Sequence, residues 1–218
     1  MDVPGDPVDG RALAQPSPVV APFLLNKILA VADADGVRWV RLVEVEAYGE
    51  TDPASHSFRG PSNRNNVMFG SPGRLYVYFS YGMHWCANVV TERSGVGAAV
   101  LLRAGEPLGG IEAMTAARNG VRLRDLCRGP ARLAQAVGIT GADNGAELGT
   151  PTAAGRTAWV LDDGVAPPAR PAHGPRVGIS RAVEVPWRWW VEGSPWVSTF
   201  RGGGPGPAGS NAVGRRSS

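Results

Sequence analysis

Residues 43–81 read VEVEAYGETDPASHSFRGPSNRNNVMFGSPGRLYVYFSY, and this stretch decides the fold. It opens as a strand, crosses a polar loop rich in glycine and proline, and returns as a second strand rich in tyrosine. Side chains two apart share one face of a strand. Over 37–48, strict alternation puts Val43, Val45 and Ala47 on a core face and Val40, Leu42, Glu44, Glu46 and Tyr48 on the other. That second face is apolar at its start and acidic at its end, as in a strand running from the interior into a pocket. The returning strand brings Tyr76, Tyr78 and Tyr81 and stops at the turn signal Tyr81-Gly82. Carboxylates facing a pocket edged by tyrosines suit an aromatic ligand and acid–base chemistry.

Outward from this stretch, residues 1–19 are rich in Pro, Gly and Asp and predict a disordered lead. Residues 22–32, with Phe23, Leu24, Leu25, Ile28 and Leu29, predict a short helix. The turn Asp35-Gly36 precedes the strand at 37–48. The loop over 49–73 is long for a connection, and such loops are often functional. Strands at 74–81 and 84–91 predict a hairpin across Tyr81-Gly82-Met83, and another strand follows at 98–103. Ile111, Met114 and Ala117 at three-residue spacing predict a helix. A second helix is bracketed by Gly129-Pro130 and Gly138, the usual proline-first, glycine-last asymmetry. Short strands are expected at 158–161, 176–179 and 187–191, and from Gly202 the low-complexity tail predicts disorder. One folded domain over 20–201 results, mixed α+β, with an antiparallel sheet and helices outside it.

No run of about eighteen apolar residues exists, so no membrane span is expected. The opening MDVPGDPVDG is acidic and turn-rich, unlike a secretory signal. Cys86 and Cys127 form no C-x-x-C, which points to reduced, unpaired thiols, with pairing left to be decided by their distance. The net charge is +3 but unevenly spread. Glu44, Glu46, Glu50 and Asp52 crowd residues 44–58, whereas 59–103 carry Arg59, Arg64, Arg74, Arg93 and Arg103 against Glu92 alone. An acidic pocket wall in a basic surround fits a polyanion whose bases are worked on; scattered solvated charge is the plain alternative. Lys27 is the only lysine, so Schiff-base chemistry would need it or the amino terminus.

Metal chemistry finds no support: His56, His84 and His173 lack ligand spacing, and the zinc-deaminase signature is absent. No phosphate-binding loop, dinucleotide fingerprint or nucleophile elbow occurs. Carboxylates, tyrosines, one loop histidine and arginines remain.

The blocks VEVEAYGETDPASHS, RNNVMFG, LYVYFSYGMHWCANVV, AAVLLRAGEP, LCRGPARLAQAVGI and GSPWVS resemble, in this order, the alkyladenine (3-methyladenine) DNA glycosylase family. The resemblance implies a single domain around a curved antiparallel β-sheet, open-barrel or roll-like, with peripheral helices and neither metal nor organic cofactor. It implies a monofunctional enzyme of base-excision repair. Such an enzyme flips alkylated purines, with deaminated or etheno purines as further candidates, out of double-stranded DNA and hydrolyses the N-glycosidic bond to leave an abasic site. A monomer with no membrane association is implied, cytoplasmic with the nucleoid, or nuclear in a eukaryote.

Residue by residue, the resemblance assigns Glu46 as general base toward water, a role akin to one carboxylate of glycoside hydrolysis. Glu44 is left a structural role. Tyr48, His56 and Tyr78 take the base pocket, where phenol faces stack on a flipped purine, especially a cationic one. Tyr81, with Met83, is the wedge that enters the vacated stack. Asn88 would crowd the exocyclic amine of normal guanine. Arg103 would support the water and the flipped nucleotide's phosphate, and could equally pair with Glu46 or Glu44. Ser62 stands where the family usually has threonine, and the loop at 58–63 differs in length from some relatives. Lys27 lies outside the pocket blocks, against a lyase step. Two alternatives stay open: a non-catalytic protein that binds lesions and kinks DNA, and a formyl-transfer or RNA-binding domain of similar topology.

Overall fold

The computed structural model describes residues 3–80 and 82–199. In chain order the elements are β1 (Asp6–Pro7), α1 (Gly10–Leu13), α2 (Ser17–Leu24), β2 (Ile28–Asp33), β3 (Gly36–Tyr48), a 3-10 turn (Asn66–Phe69), β4 (Leu75–Ser80), β5 (His84–Val90), β6 (Ala99–Gly109), α3 (Ile111–Ala117), α4 (Pro130–Val137), β7 (Thr157–Asp162), β8 (Ala172–Gly174) and β9 (Arg188–Trp190). Among the described residues the strands form one curved antiparallel sheet in the order β1-β7-β2-β3-β6-β5-β4, with β9 joining the end of β3 and β8 joining β9.

β3 is the spine. Its first half pairs with β2, its far end pairs with β9, and β6 runs along its other side. Strict alternation does not survive along it. Val40 and Leu42 face the main core, but so do Val45 and Ala47. The parity changes because the register slips twice: Leu42 opposes Gly105, Glu44 opposes Ala104 and Val45 opposes Leu102, so Val43 on β3 and Arg103 on β6 are each skipped. An extra residue in one strand turns every later side chain to the opposite face. Glu44, Glu46 and Tyr48 are therefore turned away from the core, as expected, whereas Val40 and Leu42 do not share their face.

The neighbouring strands repeat the division. Leu75 and Val77 of β4, Ala87 and Val89 of β5, and Val100 and Leu102 of β6 enter the core, joined by Val20, Ala21 and Leu24 of α2 and Leu133, Ala134, Ala136 and Val137 of α4. Their alternate neighbours Tyr76, Tyr78, Cys86, Asn88, Leu101 and Arg103 line a cleft on the opposite face. One face of the sheet is packed and the other opens onto the cleft.

α4 starts at Pro130, whose fixed φ suits a first helical position, and stops at Gly138 with φ 83°. A Cβ at Gly138 would also lie 2.6 Å from Arg38 Nη1, so the stop is both conformational and steric.

Three expectations are corrected. The segment at 3–19 is not a disordered lead: Asp6 and Pro7 pair with Asp162 and Leu161, Leu13 is in the core, and α2 begins at Ser17. Its apolar residues are few but well placed, and composition averages hide that. The helix expected at 22–32 is split, with α2 ending at Leu24 and 28–33 forming β2 between β3 and β7. β2 is buried on both faces, Leu29 and Val31 in the main core and Ile28 and Ala30 in a second cluster. A continuous apolar run of this kind has no period to read. The strand expected at 176–179 is irregular chain. The disordered tail predicted from Gly202 lies outside the described residues.

Candidate active site

The cleft occupies about 600 Å³, within the range of roughly 300–1,000 Å³ usual for small-molecule sites. Tyr48, His56, Tyr78, Asn88 and Arg103 all line it, so five of the expected residues meet in one place. The Tyr76 and Tyr78 rings stack with centroids 5.6 Å apart, and His56 stands edge-on to Tyr78 at 4.6 Å. His56 Nδ1 lies 2.9 Å from the Tyr76 hydroxyl, which fixes the imidazole. Burial lowers the His56 pKa, helped by the charge of Arg64, so the ring favours its neutral form. Burial also pushes the Tyr76 hydroxyl up to about 12 and that of Tyr78 still higher, so both remain phenols.

Glu46 is fully buried and is not itself on the cleft wall. Three groups that are on the wall hold it. The Tyr48 hydroxyl donates to Oε2 at 2.8 Å, the Val177 N–H donates to Oε1 at 2.7 Å, and Arg103 Nη1 is 3.2 Å from Oε2. A carboxylate offers about four acceptor positions; among the described residues one hydrogen bond falls on each oxygen, with Arg103 also beside Oε2. Burial raises the Tyr48 pKa and the Glu46 charge raises it further, so this phenol stays a donor.

Arg103 joins the two carboxylates, with Nε donating to Glu44 Oε1 at 3.0 Å. Glu44 also accepts from Arg188 Nε at 2.7 Å, and from the Ser198 N–H at 2.8 Å and hydroxyl at 2.9 Å. Burial alone would raise its pKa, but Arg103, Arg188 and Ser198 outweigh it and hold the carboxyl low. Arg103 thus pairs with both acids. Asn88 donates from Nδ2 to the Tyr76 carbonyl at 2.9 Å.

The long loop is pinned at several points. Asn65 accepts from the Ser62 N–H at 2.6 Å and hydroxyl at 2.9 Å, and donates to the His56 carbonyl at 2.7 Å. The Ser57 hydroxyl donates to the Gly97 carbonyl at 2.7 Å, and a Cβ at Gly97 would lie 2.5 Å from that of Ser57. Glycine is needed there for close approach.

Tyr81 lies outside the described residues. Met83, in the β4–β5 turn, is 67% exposed and does not line the cleft. Lys27 pairs with Asp162 at 2.7 Å, away from the cleft. Cys86 and Cys127 are free and buried, Cys86 on the cleft wall. Tyr76, expected with Tyr78 at the pocket edge but given no role toward the base, is also on the cleft wall. Sequence reasoning gave Arg64 no place in the site and missed the wall segment from Val177 to Arg181, which only the folded chain brings to β3. No group of three or more His, Cys, Asp or Glu among the described residues is placed to hold a metal. No helix among them is long and apolar enough to cross a membrane.

Residues 11–195 match the family described as Methylpurine-DNA glycosylase (MPG). The chain belongs to that family. It is thereby an enzyme, a DNA glycosylase acting on N-glycosyl bonds. A relative from Burkholderia orbicola (strain MC0-3) is 56% identical over 181 residues, 82% of this chain and 84% of its own length. One from Rhodopseudomonas palustris (strain HaA2) is 47% identical over 194 residues, covering 89% and 91%, and one from Chlorobaculum parvum (strain DSM 263 / NCIMB 8327) is 46% identical over 192, covering 87% and 90%. Each carries the name "Putative 3-methyladenine DNA glycosylase".

Proposed function

We propose that this glycosylase excises alkylated purines such as 3-methyladenine from double-stranded DNA, taking the damaged base into the cleft between Tyr48, His56, Tyr76 and Tyr78. The relatives' shared name supports the substrate class. The observation that carries the reading is Glu46, a buried acid held by three cleft-wall groups. A cleft opening on one side of the sheet cannot reach a purine stacked in a duplex, so the nucleotide is rotated out first. Ring stacking is worth roughly 1–3 kcal/mol per base and offsets much of the unstacking cost.

In the chemical step, water that enters past the wall groups around Glu46 as the nucleotide is seated gives it a proton while its oxygen bonds to C1′ of the sugar. The C1′–N bond breaks and its electron pair leaves with the purine. The sugar gains positive character as the base departs, and the Glu46 charge stabilises it. Arg103, held from behind by Glu44, keeps Glu46 oriented. The product is an abasic site, with no covalent lysine intermediate. Asn88 narrows the cleft floor against normal guanine, and Tyr81 with Met83 fills the vacated stack. Hypoxanthine and ethenoadenine are further substrates to be compared.

Single-turnover base release from duplexes carrying 3-methyladenine, hypoxanthine or ethenoadenine tests this. Glu46→Gln is expected to slow release at least about 100-fold, the lower range of general-base contributions. Equal release by Glu46→Gln would remove Glu46 from the mechanism. Lesion binding without release by the wild type would favour a binding protein that kinks DNA.

A further inference from the structure

The guanidinium of Arg176 lies over the Tyr48 ring, its Cζ 4.7 Å from the ring centroid, and also over Trp187 at 5.7 Å. Its side chain is fully buried and is not part of the cleft wall, so it occupies the Tyr48 face turned away from the cleft. A base in the cleft must use the other face. Arg176 is paired with Asp52, Nη1 to Oδ2 in close contact and Nη2 to Oδ1 at 3.0 Å. Asp52 is nearly as buried. The guanidinium also donates to the Ala47 carbonyl at 3.0 Å and the Ala182 carbonyl at 3.4 Å.

We propose that the Asp52–Arg176 pair sets the balance between cationic and neutral purines, because Asp52 cancels a positive charge directly behind the ring on which the base stacks. The inference rests on the proposed stacking of the base on Tyr48. An aromatic ring attracts a cation through the negative charge of its faces. A bare guanidinium behind Tyr48 would draw on the same ring and repel a cationic base across it. Unit charges roughly 8 Å apart, at an effective dielectric of about 20, change a binding constant by tenfold or more. The pair is buried, so salt does not screen this effect away. The other charges near Tyr48 are Glu46 on its hydroxyl and Arg103 beside Glu46, with Arg64 and Arg181 on the cleft wall. All four stay unchanged in the comparisons below.

The test is the ratio of single-turnover excision rates on a duplex carrying cationic 7-methylguanine and one carrying neutral hypoxanthine. Asp52→Asn leaves Arg176 uncompensated and is expected to lower the cationic-to-neutral ratio about tenfold. Asp52→Glu, keeping the charge, should hold the wild-type ratio. Arg176→Gln leaves the acid alone and should raise the ratio. The double variant Asp52→Asn with Arg176→Gln removes both charges and should return near the wild-type ratio despite its lost hydrogen bonds, which a purely structural role would not do. Circular dichroism identifies the folded variants; if Asp52→Asn does not fold, Arg176→Gln and the double variant carry the test. A ratio unchanged in every folded variant overturns the proposal, as does failure of all of them to fold, which would make the pair a structural clamp. Wild-type protein inactive on both duplexes would instead count against the proposed function.

Discussion

The Tyr48 hydroxyl donates a 2.8 Å hydrogen bond to Oε2 of Glu46, its neighbour two residues back on the same face of β3. The phenol therefore has two separable parts: a ring that faces the cleft and a hydroxyl that holds the buried acid. Tyr48→Phe keeps the first and removes the second. A hydrogen bond to a charged group contributes about 1.5–3 kcal/mol, so single-turnover excision should fall about 10- to 100-fold. Affinity for lesion-bearing duplex, measured by fluorescence anisotropy, should stay close to wild type. An equal loss in affinity would mean that the hydroxyl contacts the base.

His56 titrates below the ordinary imidazole value of about 6.5, because burial and the nearby Arg64 charge disfavour its cation. The unfolded chain therefore binds this proton more readily than the fold does. Stability linked to His56 is fully present above the unfolded value and is lost as pH falls through the folded one. An NMR titration of His56 should show a midpoint below that of a free imidazole, moving upward in Arg64→Gln. His56→Gln should flatten the corresponding part of the stability–pH curve.

Glu44 collects Arg103, Arg188 and both donors of Ser198 in a site without water-accessible surface. Glu44→Ala leaves these donors without their acceptor, and breaking a buried pair from one side costs about 3–5 kcal/mol. A drop in Tm of about 10 °C is expected for a chain of this size. The Glu44 carboxyl is held low in the fold, so its contribution is complete above the unfolded-chain value and lost as pH falls through the lower folded value. Acid unfolding of Glu44→Gln, which has no such proton to bind, should depend less steeply on pH below about 4.3.

Deletion of Val43 tests the bulge. Without it, Val45 and Ala47 would turn toward the cleft and Glu44 and Glu46 toward the core. Two buried carboxylates facing apolar side chains cannot be accommodated, so circular dichroism should show loss of the cooperative fold. Val43→Ala keeps the residue count and should remain folded.

The candidate site was legible in the sequence to the extent that its residues sit on regular strands. Tyr76 and Tyr78 alternate on β4, and Glu44, Glu46 and Tyr48 alternate beyond the bulge. Local period is sufficient for such groups, since a strand fixes which side chains are neighbours before any packing occurs. The turn residues around α4 were equally local and equally readable.

Chain order by itself determined the mixed α+β character, the hairpin of β4 and β5, and the acids and phenols available for chemistry. Tertiary structure alone decided where the faces switch, because the slips at Val43 and Arg103 are defined by the pairing of β3 with β6 and not by either strand alone. It also brought Val177 to Glu46, across 131 residues of sequence, and Arg176 to Asp52, across 124. Contacts of that reach leave no period in the chain. They arise when a curved sheet brings distant loops to one edge and each buried charge must find a partner there.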